Sequence, residues 1–206
     1  VYGLGANGLN PTATAKIFEA KGRPRFNPLI LHICNISQIE QISTINLKTV
    51  EKLTQAFFPG PLTLVVPKSN IVPDIITAGN PTVAIRMPKH PVALELIKAA
   101  GVPIAAPSAN KFGKLSPTTA EHVASQLKSK VDIILDGGQS SVGVESTIIE
   151  VTGDDYFLLR PGGLSIEDIE FVLGKKLLKK ENHDNPNAPG MLKYHYAPNI
   201  PIHFLD

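Results

Sequence analysis

Tryptophan is absent from this chain, cysteine occurs once, and the aromatic residues together reach only 6%. A single cysteine, Cys34, excludes an internal disulfide framework and fits a reducing compartment; its place in the apolar run LILHICNI reads as a buried, inert thiol. One Cys and six scattered His cannot build a standard structural zinc site, so no metal ligands are assigned. No apolar run approaches the ~18 residues that span a bilayer, and no signal peptide is recognisable, so a cytoplasmic protein without a membrane partner is expected. The Walker pattern G-x-x-x-x-G-K-[ST] is missing, and Ser108 lacks the G-x-S-x-G elbow of a serine nucleophile. Covalent catalysis is therefore not indicated. A net charge of +2 is too mild to imply a nucleic-acid partner by itself.

What is present is enough apolar residue, 43% of 206, to bury a core in one generous domain or one domain and a fragment of another. Helical patterns run through TATAKIFEAKG, LKTVEKLTQAFF, PVALELIKAAG, TTAEHVASQLKSK and IEDIEFVLG, with Thr118 and Glu121 spaced as a capping box. Strands are expected at PLILHI, LTLVVP, PTVAIRMP, VPIAAP, VDIILDGG, VESTIIEV and DYFLLRPG. This interleaving makes the class α/β, and three strands arriving together over 131–160 predict a mixed sheet. Both chain ends read as cut: VYGLGANG begins as a strand end running into a turn, and NIPIHFLD closes on a strand that opens a further unit. The polar, Pro- and Asn-rich stretch 179–199 reads as a linker or strap.

The letters GLGANG match a dinucleotide fingerprint, but the next strand ends at Cys34-Asn35 with no acid to hold a ribose, and Asn10-Pro11 delays the helix. Basic residues at loops are more informative. Lys21 and Arg23 lie two apart after a helix and repel unless an anion lies between them. Arg86, in the apolar strand VAIRMP, must pair with a buried acid or reach into a cleft, and Arg160 in LLRPGG has the same character. His32 in LILHI is either a core histidine or a ligand contact. In PIAAPSANKFGKLSPTTAEHV, small residues let a ligand approach the main chain, Ser108 and Asn110 offer short donors, and a helix starts near Thr118. The combination suits a flat, polar anion such as a nucleotide.

The blocks VYGLGA, KGRPRFNPLILHI, FPGPLTLVV, VAIRMPKHPVALELI, PIAAPSAN, SPTTAEHV, LDGG with VGVESTII, and LRPGG together resemble the threonylcarbamoyl-AMP synthase family of the YrdC type, in order over residues 1 to 174. The later APGMLKYHYAP looks like the strap of the long, two-domain form. The resemblance implies a catalytic domain over 1–178 with a truncated N-terminus, a strap over 179–199, and the start of a truncated C-terminal domain over 200–206. It implies a twisted mixed sheet flanked by helices, with a deep electropositive groove. The implied reaction joins L-threonine, bicarbonate and ATP into threonylcarbamoyl-AMP and pyrophosphate. The implied cofactors are ATP, as a substrate, and Mg²⁺; the implied partners are a downstream tRNA threonylcarbamoyl transferase complex and a weak contact with tRNA.

The resemblance also assigns roles. Lys21 and Arg23 match a K-x-R motif at the phosphates and the reacting centre. Arg23, Asn27, Thr82, Ser108, Asn110, Ser116 and Arg160 fall at nucleotide-contacting positions. Arg86 matches the arginine that clamps the threonine carboxylate, with His32, Ala106 and Ser146 at the same subsite. The family block usually reads P-T-[DE]-T-V-Y-G-L-G, so its substrate-site threonine would precede Val1. In the strap, Lys193 stands where the family commonly has Tyr, leaving Tyr194 and Tyr196 as nucleotide contacts. The competing reading is an RNA-binding module using the same basic groove without catalysis. Such a module would spread basic residues over an exposed face with aromatics for stacking, which this sequence does not do.

Overall fold

The computed structural model describes residues 1–180 together with Pro189. Among the described residues eight strands form one mixed sheet: β1 (Ala6–Asn7), β2 (Ile30–His32), β3 (Leu62–Pro67), β4 (Thr82–Arg86), β5 (Ile104–Ala105), β6 (Thr147–Thr152), β7 (Asp155–Arg160) and β8 (Leu178–Lys179). Their spatial order is β1-β5-β2-β4-β3-β6-β7-β8. The β2–β4, β3–β6 and β7–β8 pairs are parallel and the remaining pairs antiparallel, as the sequence reading of a mixed sheet expects.

Among the described residues seven α-helices accompany the strands: α1 (Pro11–Lys21), α2 (Gln38–Ile42), α3 (Leu47–Phe57), α4 (Asp74–Thr77), α5 (Pro91–Ala100), α6 (Ala120–Leu127) and α7 (Ile166–Leu173). Asn10 does not delay the first of them. Its side chain accepts from the Ala13 amide and Pro11 occupies the first helical turn, so Asn-Pro starts α1. Gly22, in the left-handed region at φ 61°, then ends it and turns the chain towards Arg23. At α6 the cap is Thr119, which accepts from the His122 amide, one residue beyond the Thr118 of the expected capping box.

Alternation along the strands sorts side chains onto two faces. Leu31, Leu64, Val66, Ile85, Ile149 and Val151 join Ile17 and Phe18 of α1, Val50 and Leu53 of α3, and Ile169 of α7 in the main core. The opposite face carries only a small cluster of Ile30, Val65, Ala84 and Ile148. That thinner face leaves room for a cavity.

Two further expectations fail here. Residues 131–138 form no strand, although Val131, Ile133 and Leu135 alternate. Val131 and Ile134 instead pack on Ala109, Val123 and Leu127, so α6 rather than a ladder takes up part of this apolar surface, while Ile133 stays 78% exposed. Cys34 is half-buried rather than buried, with its Sγ 3.4 Å from Gln38 Oε1. The expected strand after residue 199 lies outside the described residues.

Candidate functional site

Register places the charged side chains in a row. His32 pairs with Arg86 across β2 and β4, Thr63 of β3 pairs with Ile148 of β6, and Ile148 pairs with Arg160 of β7. Directly paired residues share a face, so the row crosses the thin face of the sheet. A bulge decides the last member. Ile149 pairs with Leu158 while Ile148 pairs with Arg160, so β7 carries one extra residue, Leu159. Without that extra residue, strict alternation would send Arg160 to the helix-covered face with Tyr156 and Leu158.

The row floors a cavity of about 560 Å³ whose wall includes Arg23, His32, Arg86, Lys89, Glu145, Ser146 and Arg160. Main-chain carbonyls hold all three guanidinium groups. Arg86 Nε donates to Gly60 O at 3.0 Å. Arg160 donates to Ser146 O from Nε and Nη2, and to Pro189 O from Nη1 at 2.8 Å. Arg23 donates to the carbonyls of Asn27 and Pro28, and from Nη2 to Asn27 Oδ1 at 2.6 Å. Neutral carbonyls thus help to orient each cation. Burial, with Arg160 nearby, lowers Arg86 to about 10, while Glu145 opposes that shift. Burial and Arg86 together hold His32 down at about 3, so its imidazole is neutral at physiological pH.

Ser146 ties two strands together: its Oγ lies 2.6 Å from Thr63 Oγ1 and accepts from Arg160 Nη2. Gly162 makes this possible, because a Cβ there would lie 2.4 Å from the Ser146 carbonyl carbon and 2.5 Å from Glu145 O. The second glycine of LRPGG, Gly163, donates its amide to Glu145 O. On the opposite wall, Gly3, Gly5, Ala106, Pro107 and Ser108 present main chain to the cavity.

Five predicted site residues lie off the wall. Lys21 is buried behind it, its Nζ donating to Ser108 O and Asn110 O; burial and then Arg23 lower it from its ordinary 10.5 to about 7. Asn27 stands behind Arg23. Asn110 braces its loop by donating to the carbonyls of Lys111 and Lys114. Ser116 donates to Glu145 Oε1 at 2.5 Å. Thr82 starts the strand that Arg86 ends, roughly 13 Å away at ~3.3 Å per residue. Tyr194 and Tyr196 lie outside the described residues.

Four buried side-chain polar atoms find no partner among the described residues: Asn27 Nδ2, His32 Nδ1, Thr82 Oγ1 and Asn110 Oδ1. All four belong to the residues singled out in the sequence. Buried groups of this kind are rare in folded proteins and call for a specific explanation.

Sequence reasoning missed the rest of the wall. Residues 135, 137–142 and 144 line the cavity without regular structure. They are latched by Tyr2, whose hydroxyl lies 2.6 Å from Gly138 O and accepts from the Gly137 amide, and by His90, whose Nε2 lies 3.2 Å from Gly137 O. Lys89 and Glu145 were also missed, though both stand inside quoted blocks.

The family model described as Telomere recombination, that of Sua5, YciO and YrdC, matches residues 1–162. The chain belongs to this family. A second model, the threonylcarbamoyl-AMP synthase C-terminal domain, matches residues 164–206. The threonylcarbamoyl-AMP synthase of Pyrococcus abyssi is 50% identical over 206 residues, covering 98% of this chain and 61% of the relative. That of Bacillus subtilis is also 50% identical, with 98% and 60% covered. The chain thus spans about three fifths of the length of these curated relatives. A putative threonylcarbamoyl-AMP synthase of Mycobacterium tuberculosis is 39% identical, with 84% of this chain and 80% of the relative covered. Among solved structures, P. abyssi Sua5 complexed with L-threonine superposes with a TM-score of 0.92 at 51% identity, covering 96% of this chain and 59% of that one. E. coli YciO, at 23% identity and a TM-score of 0.67 over 78% of each chain, shares the fold.

Proposed function

We propose that this chain carries the catalytic unit of an L-threonylcarbamoyladenylate synthase. The observation that carries the reading is the convergence of Arg23, Arg86 and Arg160, from separate segments, on one cavity. Its reactants are a carboxylate, bicarbonate and a triphosphate, and a wall of carbonyl-anchored guanidiniums suits three anions. The relative solved with L-threonine supports the amino acid as one of them.

In this reading Arg86 clamps the threonine carboxylate, with His32, Ala106 and Ser146 completing that subsite. Arg23 and Arg160 face the phosphates, and Lys21 supplies charge from behind Ser108. Asn27, Thr82, Ser108, Asn110, Ser116 and the strap residues Tyr194 and Tyr196 complete the nucleotide site. The threonine amine and bicarbonate give a carbamate and water. A carbamate oxygen then attacks the α-phosphorus of ATP, and pyrophosphate leaves. Neither step needs a protein nucleophile; the protein holds the anions together and neutralises charge on the leaving group.

Mg²⁺ enters with the nucleotide. Among the described residues no group of three or more His, Cys, Asp or Glu could hold a metal ion, so phosphate oxygens and water are the donor set that fits. The division into a catalytic domain over 1–178, a strap over 179–199 and the opening of a C-terminal domain over 200–206 belongs to this proposal. So do a tRNA threonylcarbamoyl transferase complex that consumes the product, a weak contact with tRNA, and a cytoplasmic location. Among the described residues no helix is long and apolar enough to cross a membrane.

The test is pyrophosphate release from ATP by the full-length protein, with each reactant omitted in turn. Release that requires L-threonine and bicarbonate together is expected; release indifferent to threonine overturns the assignment.

A further inference from the structure

Every reactant in the proposed reaction carries a negative charge, yet one also carries a positive charge, the α-ammonium group of the amino acid. Among the described residues that line the cavity, one is acidic: Glu145. It stands half-buried, immediately before Ser146, in a cavity also lined by Arg23, Arg86, Lys89 and Arg160. Its backbone is fixed by the Gly163 amide and its Oε1 by Ser116 Oγ. Glu145 acts electrostatically on Arg86, but the two form no ion pair among the described residues. An arginine and a glutamate that line one cavity without pairing with each other present a positive and a negative pole to whatever it holds. A zwitterion whose opposite charges sit about one bond angle apart complements that arrangement, whereas a plain carboxylic acid meets only one of the poles.

We propose that Glu145 is the specificity-determining residue for the amino group, accepting a hydrogen bond from the α-ammonium of threonine while Arg86 holds its carboxylate. This deepens the proposed function and rests on it. Ser116 then acts as a positioning residue, turning the Glu145 carboxylate towards the cavity, in addition to any contact with nucleotide.

The test compares the binding of L-threonine with that of 2,3-dihydroxybutanoate, which keeps the carboxylate, methyl and hydroxyl but replaces the ammonium with a second hydroxyl. Wild-type protein should prefer threonine by about 10-fold or more, the range for a charge-assisted hydrogen bond. In Glu145→Gln that preference should collapse to within about 3-fold, through weaker threonine binding with the analogue unchanged. Arg86→Gln should weaken both ligands together. Unchanged preference in Glu145→Gln overturns the proposal, as does equal loss of both ligands. Should that variant fail to fold, Glu145→Asp, which retracts the carboxylate by one methylene, is read by the same ratio: a reduced preference supports the proposal and an unchanged one overturns it. Failure of wild-type protein to bind threonine would instead strike the proposed function itself, so the two failures are distinct.

Discussion

The two sides of the cavity are built on opposite principles. One side is the row that runs from His32 through Arg86 to Arg160 and is fixed by register, with Ser146 next to it immediately before β6. The other is the stretch through residues 135–144, which has no regular structure and hangs on a few hydrogen bonds from Tyr2, His90 and the Ser140 amide. The difference teaches where precision resides. Arg86 and Arg160 sit on strands whose movement would break the sheet, while residues 135–144 are held by contacts costing about 1 kcal/mol each to remove.

Four perturbations sharpen this contrast. The largest effect is expected from Arg86→Ala, which should raise the threonine KM by about 30-fold or more, from loss of a bidentate charge-assisted contact, with far less change in the ATP KM. Steady-state kinetics with each substrate varied would check it; equal effects on both would remove Arg86 from its subsite. Next comes Gly162→Ala. Its Cβ meets backbone atoms that cannot swing aside, so destabilisation of about 2–3 kcal/mol and a lower melting temperature are expected.

Lys21 gives a pH-dependent case on the fixed side. Its folded value, about 7, lies below its ordinary 10.5, so between these limits the unfolded chain binds the extra proton. Stability should therefore rise with pH across that window, and the penalty is fully present below about 7. Lys21→Met should flatten the rise in denaturant titrations repeated from neutral to alkaline pH. The smallest effect is expected on the latched side. Tyr2→Phe removes the hydroxyl held by Gly137 and Gly138, costing about 1 kcal/mol. Faster amide exchange around Gly137, with threonine affinity nearly unchanged, should result; a large loss of affinity would mean that the loop does more than shape the mouth.

The same contrast marks what could be read from residues alone. Strands at 62–67 and 82–86 were legible because consecutive apolar residues between turn signals leave few alternatives, and Arg86 drew notice as a charge in an apolar strand. The stretch 131–138 misled because its apolar spacing imitates a strand, while packing on α6 is a tertiary fact that local sequence does not carry. Which face Arg160 occupies depends on the bulge at Leu159, visible only once β6 and β7 are paired. Glu145 escaped notice for a related reason: one acid beside one serine has no pattern until the cations that share its cavity are located.

In the proposed site, cations from separate segments share one hollow where amino acid and nucleotide lie side by side. A crystal structure of the protein with L-threonine and a non-hydrolysable ATP analogue tests it most directly. The account predicts the threonine carboxylate on Arg86 and the phosphates facing Arg23 and Arg160 within the same cavity. Either ligand bound on a different surface, or the two excluding each other, would contradict it.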